Sequence, residues 1–472
     1  MKLTILTTGV LVLASGAPAQ EPIHRWKTTR GNDPPLVDSE GRPWTPEFLL
    51  QLDLPRLREP RRLLVPLALD DRTLLLELRP QSQRAPGCEL WVDLGGGVVE
   101  ERPLPPPRTY RGEVVGTPGS FVTASLRADG RLSARIRMGL DVWSVQPWSD
   151  LSPDPDPRLH AVYSGHNRPA GKPWSCPVPS PMMPGSTVSG PGTYGPAATC
   201  HDVARIGIDA DYEFFQWNNG SVSETIADID DVMNDVNGDN YEPQLQISHG
   251  IQIYVVRSNP NDPYTSSNHE VLLDQFAAEW NANFQHVERD VAHLMTGRDI
   301  DGGTIGYARL ATLCAPSVAY GFAESNWQTT YFGDRVLVTA HELGHNWGAN
   351  HVNCGFGHNP CKLMCPSREW WLCFGSIDWS DDTKNAINSY RASTGCTGPQ
   401  PGIVYVDGSK ACSNPTGSLG KPYPTVAQGL AALQPGQTLS IGAGNYPEAP
   451  LTLDASPPGN IVVATQGTVT ID

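Results

Sequence analysis

Apolar and polar positions alternate in short runs over residues 62–69, 73–78, 121–126, 132–138 and 143–147. A period of two is the pattern of half-buried strands. Ala128-Asp129-Gly130 separates two of these runs, which predicts a β-hairpin. After residue 200 the period changes. Residues 203–208 read as a strand and 223–236 as a helix with Ile226, Ile229, Val232, Met233 and Val236 on one face. Residues 245–256 read as a strand pair, 270–284 as a helix, 304–311 as a strand and 333–346 as a helix. Beyond 402 the pattern returns to short strands between Gly/Pro turns, with Pro399 and Pro401 at the boundary.

These shifts divide the chain into a β-rich unit over 20–176, a linker over 177–199, an α/β unit over 200–398 and a short β segment over 402–472. The linker carries Pro177, Pro179, Pro181, Pro184, Pro191 and Pro196 and almost no charge. Such a stretch forms no core and is exposed to proteases.

Composition supports a packed, loop-rich chain: 472 residues with 39% hydrophobic content, 46 Gly and 44 Pro. The net charge of −16 disfavours nucleic acid as a partner. The charge is uneven: residues 21–170 hold 20 Lys/Arg and 20 Asp/Glu, whereas residues 171–472 hold 13 and 30. At the start, Lys2, an apolar run over 3–14 and Ala17-Pro18-Ala19 read as a secretory signal peptide over 1–19. Secretion, to the medium or a periplasm, suits ten cysteines as a mostly disulfide set. No later run is long enough for a transmembrane helix.

The decisive segment is His341-Glu342-Leu343-Gly344-His345-Asn346-Trp347-Gly348-Ala349-Asn350-His351. On a helix, His341 and His345 share a face. Gly348 ends the helix through a positive φ, so His351 reaches the same metal. Three imidazoles leave one zinc position open for water, the arrangement of a catalytic site. Glu342 stands beside the ligands, placed to accept a proton. Five fixed positions over a few hundred windows match by chance about once in 10⁴ such chains.

The motif resembles that of the metzincin zinc endopeptidases, and Met364 in Leu363-Met364-Cys365-Pro366 is similar to their Met-turn. Within that clan, residues 200–396 most resemble the reprolysin (adamalysin, ADAM-type) family through Leu272, Phe276, Trp280, His286, Asp290, Leu294, Thr296 and Gly297. The resemblance implies an α/β catalytic fold with a mixed five-stranded sheet and a long zinc helix. It implies a zinc metalloendopeptidase with one Zn²⁺ on His341, His345 and His351 and with Glu342 as general base. Protein or peptide substrates would lie along Thr304, Gly306 and Ala308 by strand addition. It also implies a Cys314–Cys396 disulfide. Two positions depart from the family: Val352 follows the third histidine, and Arg205 stands where a calcium-binding Glu is usual. A cation there would pair with Asp290 in place of Ca²⁺.

Residues 20–176 resemble a reprolysin propeptide, through 119–126 and 141–147, and the resemblance implies a latent zymogen. Cys176 is placed to occupy the open zinc position as a cysteine switch; the alternative is a Cys88–Cys176 disulfide. Cys354, Cys361, Cys365 and Cys373 read as two bridges or as a structural Cys₄ zinc site. Trp370 and Trp371 are candidates for a specificity wall or for packing. Residues 402–472 resemble the opening of a right-handed parallel β-helix, with surface or carbohydrate attachment as the role that analogy suggests. Two other functions compete: a catalytically silent adhesin or binding protein on a metzincin scaffold, and a metal-dependent hydrolase of other substrates. A silent copy commonly lacks a ligand or the base, and this chain has all of them.

Overall fold

The computed structural model describes residues 25–26, most of 44–167, 176–177, 201–325, 332–354, 361–366, 377–394, 397 and most of 403–447, with strand backbone at 461–464 and 469–471. The expected signal peptide, the linker beyond Pro177, Trp370, Trp371, Cys373 and Cys396 lie outside the described residues.

The N-terminal region supplies β1 (Arg25–Trp26), β2 (Phe48–Gln51), β3 (Leu63–Leu69), β4 (Arg72–Pro80), β5 (Arg84–Gly95), β6 (Val98–Glu101), β7 (Thr109–Val114), β8 (Ser120–Leu126), β9 (Leu132–Met138), β10 (Asp141–Pro147) and β11 (Leu159–Ser164). Nine of them form an antiparallel sheet in the order β1-β2-β11-β10-β9-β8-β7-β4-β3. The predicted hairpin is β8–β9, with Leu126 opposite Leu132. Alternate residues such as Val65, Leu67, Leu76, Val122, Ile136 and Val145 build its core.

His160 is locked inside this sheet. Its Nε2 accepts the Leu132 N–H at 2.9 Å and its Nδ1 lies 2.8 Å from the Arg158 carbonyl, to which it donates. Only the neutral ring can do both, and burial pushes its pKa down to about 4. The unfolded ring, near 6.5, binds a proton that the folded ring refuses. Its full contribution therefore exists above pH 6.5 and is lost as pH falls toward 4, by about 3 kcal/mol. Urea unfolding of wild type and His160→Gln at pH 7 and pH 4.5 checks this: wild type should show the larger acid loss.

The second sheet has seven strands. The central region contributes β12 (Asp202–Ala210), β13 (Ile247–Arg257), β14 (Val291–Thr296), β15 (Gly306–Ala308) and β16 (Tyr320–Glu324), and the order is β15-β16-β14-β12-β13-β5-β6. The five expected strands are present, but β5 and β6 from the N-terminal region extend them beyond β13. The pairing β5–β13 is parallel and runs from Ile253↔Glu89 to Arg257↔Asp93. Residues 245–256, expected as a strand pair, form the single long strand β13, because nearly every residue in it is buried on one face or the other. The expected strand over 304–311 shortens to β15; Thr304 ends a 3₁₀ turn instead.

Helices cover both faces of this sheet. α1 (Tyr212–Trp217), α2 (Val222–Asp235), a π-helical turn (Val236–Tyr241) and α3 (Glu242–Leu245) follow β12. α4 (His269–Asn283) follows β13, and α5 (Phe332–Asn346) and α6 (Asp381–Thr394) come after the sheet. Ser221 caps α2 by accepting the Glu224 N–H, the start of a Ser-x-x-Glu signal. Asn268 caps α4 through the Glu270 and Val271 N–H groups. The main core packs α2 and α5 on one face, with Ile206, Ile229, Val336 and Leu343; Phe276 and Trp280 of α4 pack on the other with Ile253 and Phe322. Gly207 has no side chain because an added Cβ would lie 2.4 Å from the Trp280 ring.

The C-terminal segment holds β17 (Ile403–Val406), α7 (Val426–Ala432), β18 (Thr438–Ile441), β19 (Gly444–Tyr446), β20 (Ile461–Ala464) and β21 (Val469–Ile471). β17-β18-β20 and β19-β21 are parallel sheets. Lys421 Nζ ties the segment to Asp202 of β12 at 2.7 Å. No helix among the described residues is long and apolar enough to cross a membrane.

Candidate metal centre

α5 carries His341 and His345 one turn apart on its buried face, both at 0% exposure. The helix ends in a Schellman motif. Ala349 N–H donates to the Gly344 carbonyl at 2.9 Å, and Gly348 N–H donates to the His345 carbonyl at 2.8 Å. Gly348 sits at φ +85°, the left-handed position the motif requires. The chain reverses there and brings His351 back over the helix. The three Nε2 atoms are 3.1 Å from one another.

The contact between His341 and His345 is not a hydrogen bond. His341 Nδ1 donates to the Leu363 carbonyl and His345 Nδ1 to the Ala349 carbonyl, each at 2.7 Å. Burial pushes all three rings down, His345 to about 3 and His351 to about 4, so they are neutral. The Nε2 lone pairs of His341 and His345 thus face each other without a proton between them. A shared cation resolves that repulsion. The three Nε2 atoms would hold such a cation, with the backbone carbonyls of Leu363 and Ala349 orienting the His341 and His345 rings toward it.

Cys176 completes the group: its Sγ and the three ring nitrogens all lie within 4.8 Å of one another. The thiol is 3.7 Å from His345 Nε2 and hydrogen-bonds the Glu342 carboxylate. Its backbone N–H donates to the Pro366 carbonyl at 2.9 Å, which draws residue 176 beneath the loop after Met364. Cys88 and Cys176 are both free thiols, so the alternative disulfide between them does not form. Cys88 lies in β5, at the other end of the seven-stranded sheet from β15, the strand beside Glu342.

Glu342 is 1% exposed, and burial pushes its carboxyl well above the usual carboxylate range. It points toward β15, where Gly306 leaves it room: a Cβ there would lie 2.5 Å from Glu342 Oε1. Gly306 pairs antiparallel with Ala323 and Ala308 with Gly321, and β15 is the edge of the sheet. Gly306 and Ala308 therefore line a strand edge beside Glu342, while Thr304 lies before that edge. Met364 is fully buried under the histidine helix, and a Cβ on Gly344 would lie 2.9 Å from its Sδ. The Met364 carbonyl accepts the Val352 N–H at 3.0 Å, which fastens the returning chain next to His351.

Sequence reasoning did not find the carbonyls of Leu363, Ala349 and Pro366, because backbone acceptors leave no residue signature. It also missed Tyr241, whose hydroxyl donates to the Ala340 carbonyl at 3.0 Å and braces α5 from the π-helical turn. Cys354 and Cys365 form a disulfide and Cys361 is disulfide-bonded, which removes the Cys₄ zinc alternative. Cys314 is disulfide-bonded as well; Cys396, its expected partner, lies outside the described residues. Arg205 pairs with Asp290 at 3.2 Å and with Glu288 at 2.6 Å.

Comparison with known proteins agrees with this geometry. A family profile of reprolysin type, described as metallo-peptidase family M12, matches residues 200–396. The zinc metalloproteinase-disintegrin-like atrase-A of Naja atra is 38% identical over 96 residues, 20% of this chain and 15% of that protein. The chain thus spans only a small part of that relative's length. Metalloproteinase-II from Bacteroides fragilis is a similar solved structure, with TM-score 0.42, 13% identity, and coverage of 70% of this chain and 92% of that one. Residues 200–396 thus match a reprolysin-type metallopeptidase profile of family M12, over less than half of the chain.

Proposed function

We propose that the chain is a secreted zinc metalloendopeptidase made as a latent zymogen. The observation that carries the reading is the convergence of three imidazole Nε2 atoms with a buried carboxylic acid beside an open strand edge. His341, His345 and His351 would hold the metal. When bound, zinc supplies Lewis-acid polarisation of the scissile carbonyl and makes water a nucleophile near neutral pH.

The chain's own residues do the rest. β15 receives an extended peptide as an added strand, so Gly306 and Ala308 fix the scissile bond by main-chain hydrogen bonds. The Glu342 carboxylate takes a proton from the attacking water and passes it to the leaving amine. Its low-dielectric setting raises its affinity for that proton, which suits the transfer. Gly306→Ala should displace the Glu342 carboxylate, because paired β15 cannot retreat from the new methyl group. The expected loss in kcat is about 100-fold with zinc content unchanged.

Latency follows from Cys176, which would fill the remaining metal position and occupy the Glu342 carboxylate at once. Cys176→Ala in the uncut chain is the test, with an unfolded protein as substrate and with and without a zinc chelator. Proteolysis that appears in the variant and vanishes with chelator supports the reading. A variant that binds about one zinc yet cleaves nothing, even after nicking in 178–199, supports a silent binding protein instead.

A further inference from the structure

Most of the contact between the N-terminal unit and the peptidase domain lies away from the metal centre. α2 and the π-helical turn present a row of carboxylates, and β5, β7, β9 and the β8–β9 turn present arginines to it. Arg84 pairs with Asp230 at 2.7 Å and Arg131 with Glu224 at 3.2 Å. Arg135 reaches Asp239 at 3.2 Å, and Arg137 bridges Asp239 at 3.0 Å and Asp378 at 3.3 Å. Arg111 pairs with Glu242. The neutral front half and acidic back half of the sequence meet along this seam.

The seam is also a shared core. Leu90 and Val92 of β5 are 2% and 0% exposed and belong to the main peptidase cluster with Ile206, Ile229 and Tyr254. The Ile251 and Ser258 N–H groups of β13 donate to the Gln83 and Asp93 carbonyls at 2.8 and 3.0 Å. Asn234 of α2 donates to the Tyr110 and Ala124 carbonyls at 3.1 and 3.2 Å. None of these bonds involves the linker or Cys176. Withdrawing β5 would bare the long edge of β13 and open the core beneath it.

We propose that the N-terminal unit, residues 44–177, stays bound to the peptidase domain as a non-covalent subunit after the linker is cut, held by the β5–β13 pairing and the arginine–carboxylate seam. Scission and exposure of the metal centre are then separate events: the cut frees the end of the segment bearing Cys176, and the rest of the unit remains in the sheet. The inference rests on the zymogen reading for where the chain is cut. The β strands give the complex its stability. The arginines give it register, since removing them together leaves the Asp239 and Glu242 carboxylates without their arginine partners.

The test uses the full chain with one sequence-specific protease site placed within 178–199, folded first and cut afterwards. Size-exclusion chromatography at about 1 μM reads the result. Cut wild type should elute as one 1:1 species. Arg111→Gln/Arg135→Gln/Arg137→Gln should weaken the complex by at least about 30-fold and elute as two. Separation of the cut wild type into two species overturns the proposal, and so does a triple variant that holds together as tightly as wild type. Co-elution without any proteolysis upholds the seam, and Cys176→Ala in the same cut chain then decides the peptidase reading separately.

Discussion

Glu342→Ala should lower the peptidase activity of the activated protein by about 10²–10⁴-fold while leaving its zinc content unchanged. The two readouts separate because the carboxylate lies beside the ligand group and outside it: the four converging donors are Cys176, His341, His345 and His351. Truncation removes the proton acceptor and leaves the three Nε2 atoms in place. The side chain is fully enclosed, so the alanine also leaves a small cavity, but one that relieves a buried acid. Folding should therefore be unharmed. Steady-state kcat/KM on a peptide substrate, with zinc measured per chain on the same sample, decides the matter. Activity within tenfold of wild type would assign proton transfer elsewhere, and loss of zinc would make Glu342 a structural support of the centre.

His345→Ala should abolish both zinc binding and activity. His345 Nε2 lies 3.7 Å from the Cys176 thiol, and the ring is buried with its Nδ1 committed to the Ala349 carbonyl. Two remaining rings and a thiol cannot reproduce the three-imidazole set of a catalytic site. Zinc that binds only the folded state stabilises it by about 4 kcal/mol when free metal is a thousandfold above Kd. Wild type should accordingly show a Tm that rises with added zinc and falls with chelator, and His345→Ala a Tm that responds to neither. The dependence on zinc is the informative quantity, because the cavity left by the alanine lowers Tm by itself. A variant whose Tm still climbs with zinc would place the metal on a different ligand set.

Much of the centre is legible in the sequence because its geometry is local. Spacing of four puts His341 and His345 on one helical face, and Gly348 three residues later fixes the reversal that returns His351. The strands β3, β4, β8, β9 and β10 and the helices α2 and α4 follow from periodicity for the same reason. Where the expectation fell short, long-range pairing intervened. The 304–311 segment had strand-like composition, but its ladder with β16 covers Gly306–Ala308, with single backbone bonds at Ile305 and Arg309 on either side. The 245–256 segment was apolar enough to be divided in two, and burial on both faces made it one strand.

Alone, the sequence picked out His341, His345 and His351, which the fold brings together, and the alternation of strands and helices, since each depends on residues a few positions apart. The tertiary structure alone decided three things. It placed Cys176 among histidines that lie 165 or more positions later in the chain. It gave the His341 and His345 rings their backbone acceptors. It carried β5 and β6 out of the N-terminal sheet to finish that of the peptidase domain. The physical reason is common to all three. Parallel pairing, a shared core and a buried charge seam gain their free energy only when distant segments desolvate each other, and no local pattern of residues encodes which segment the partner will be.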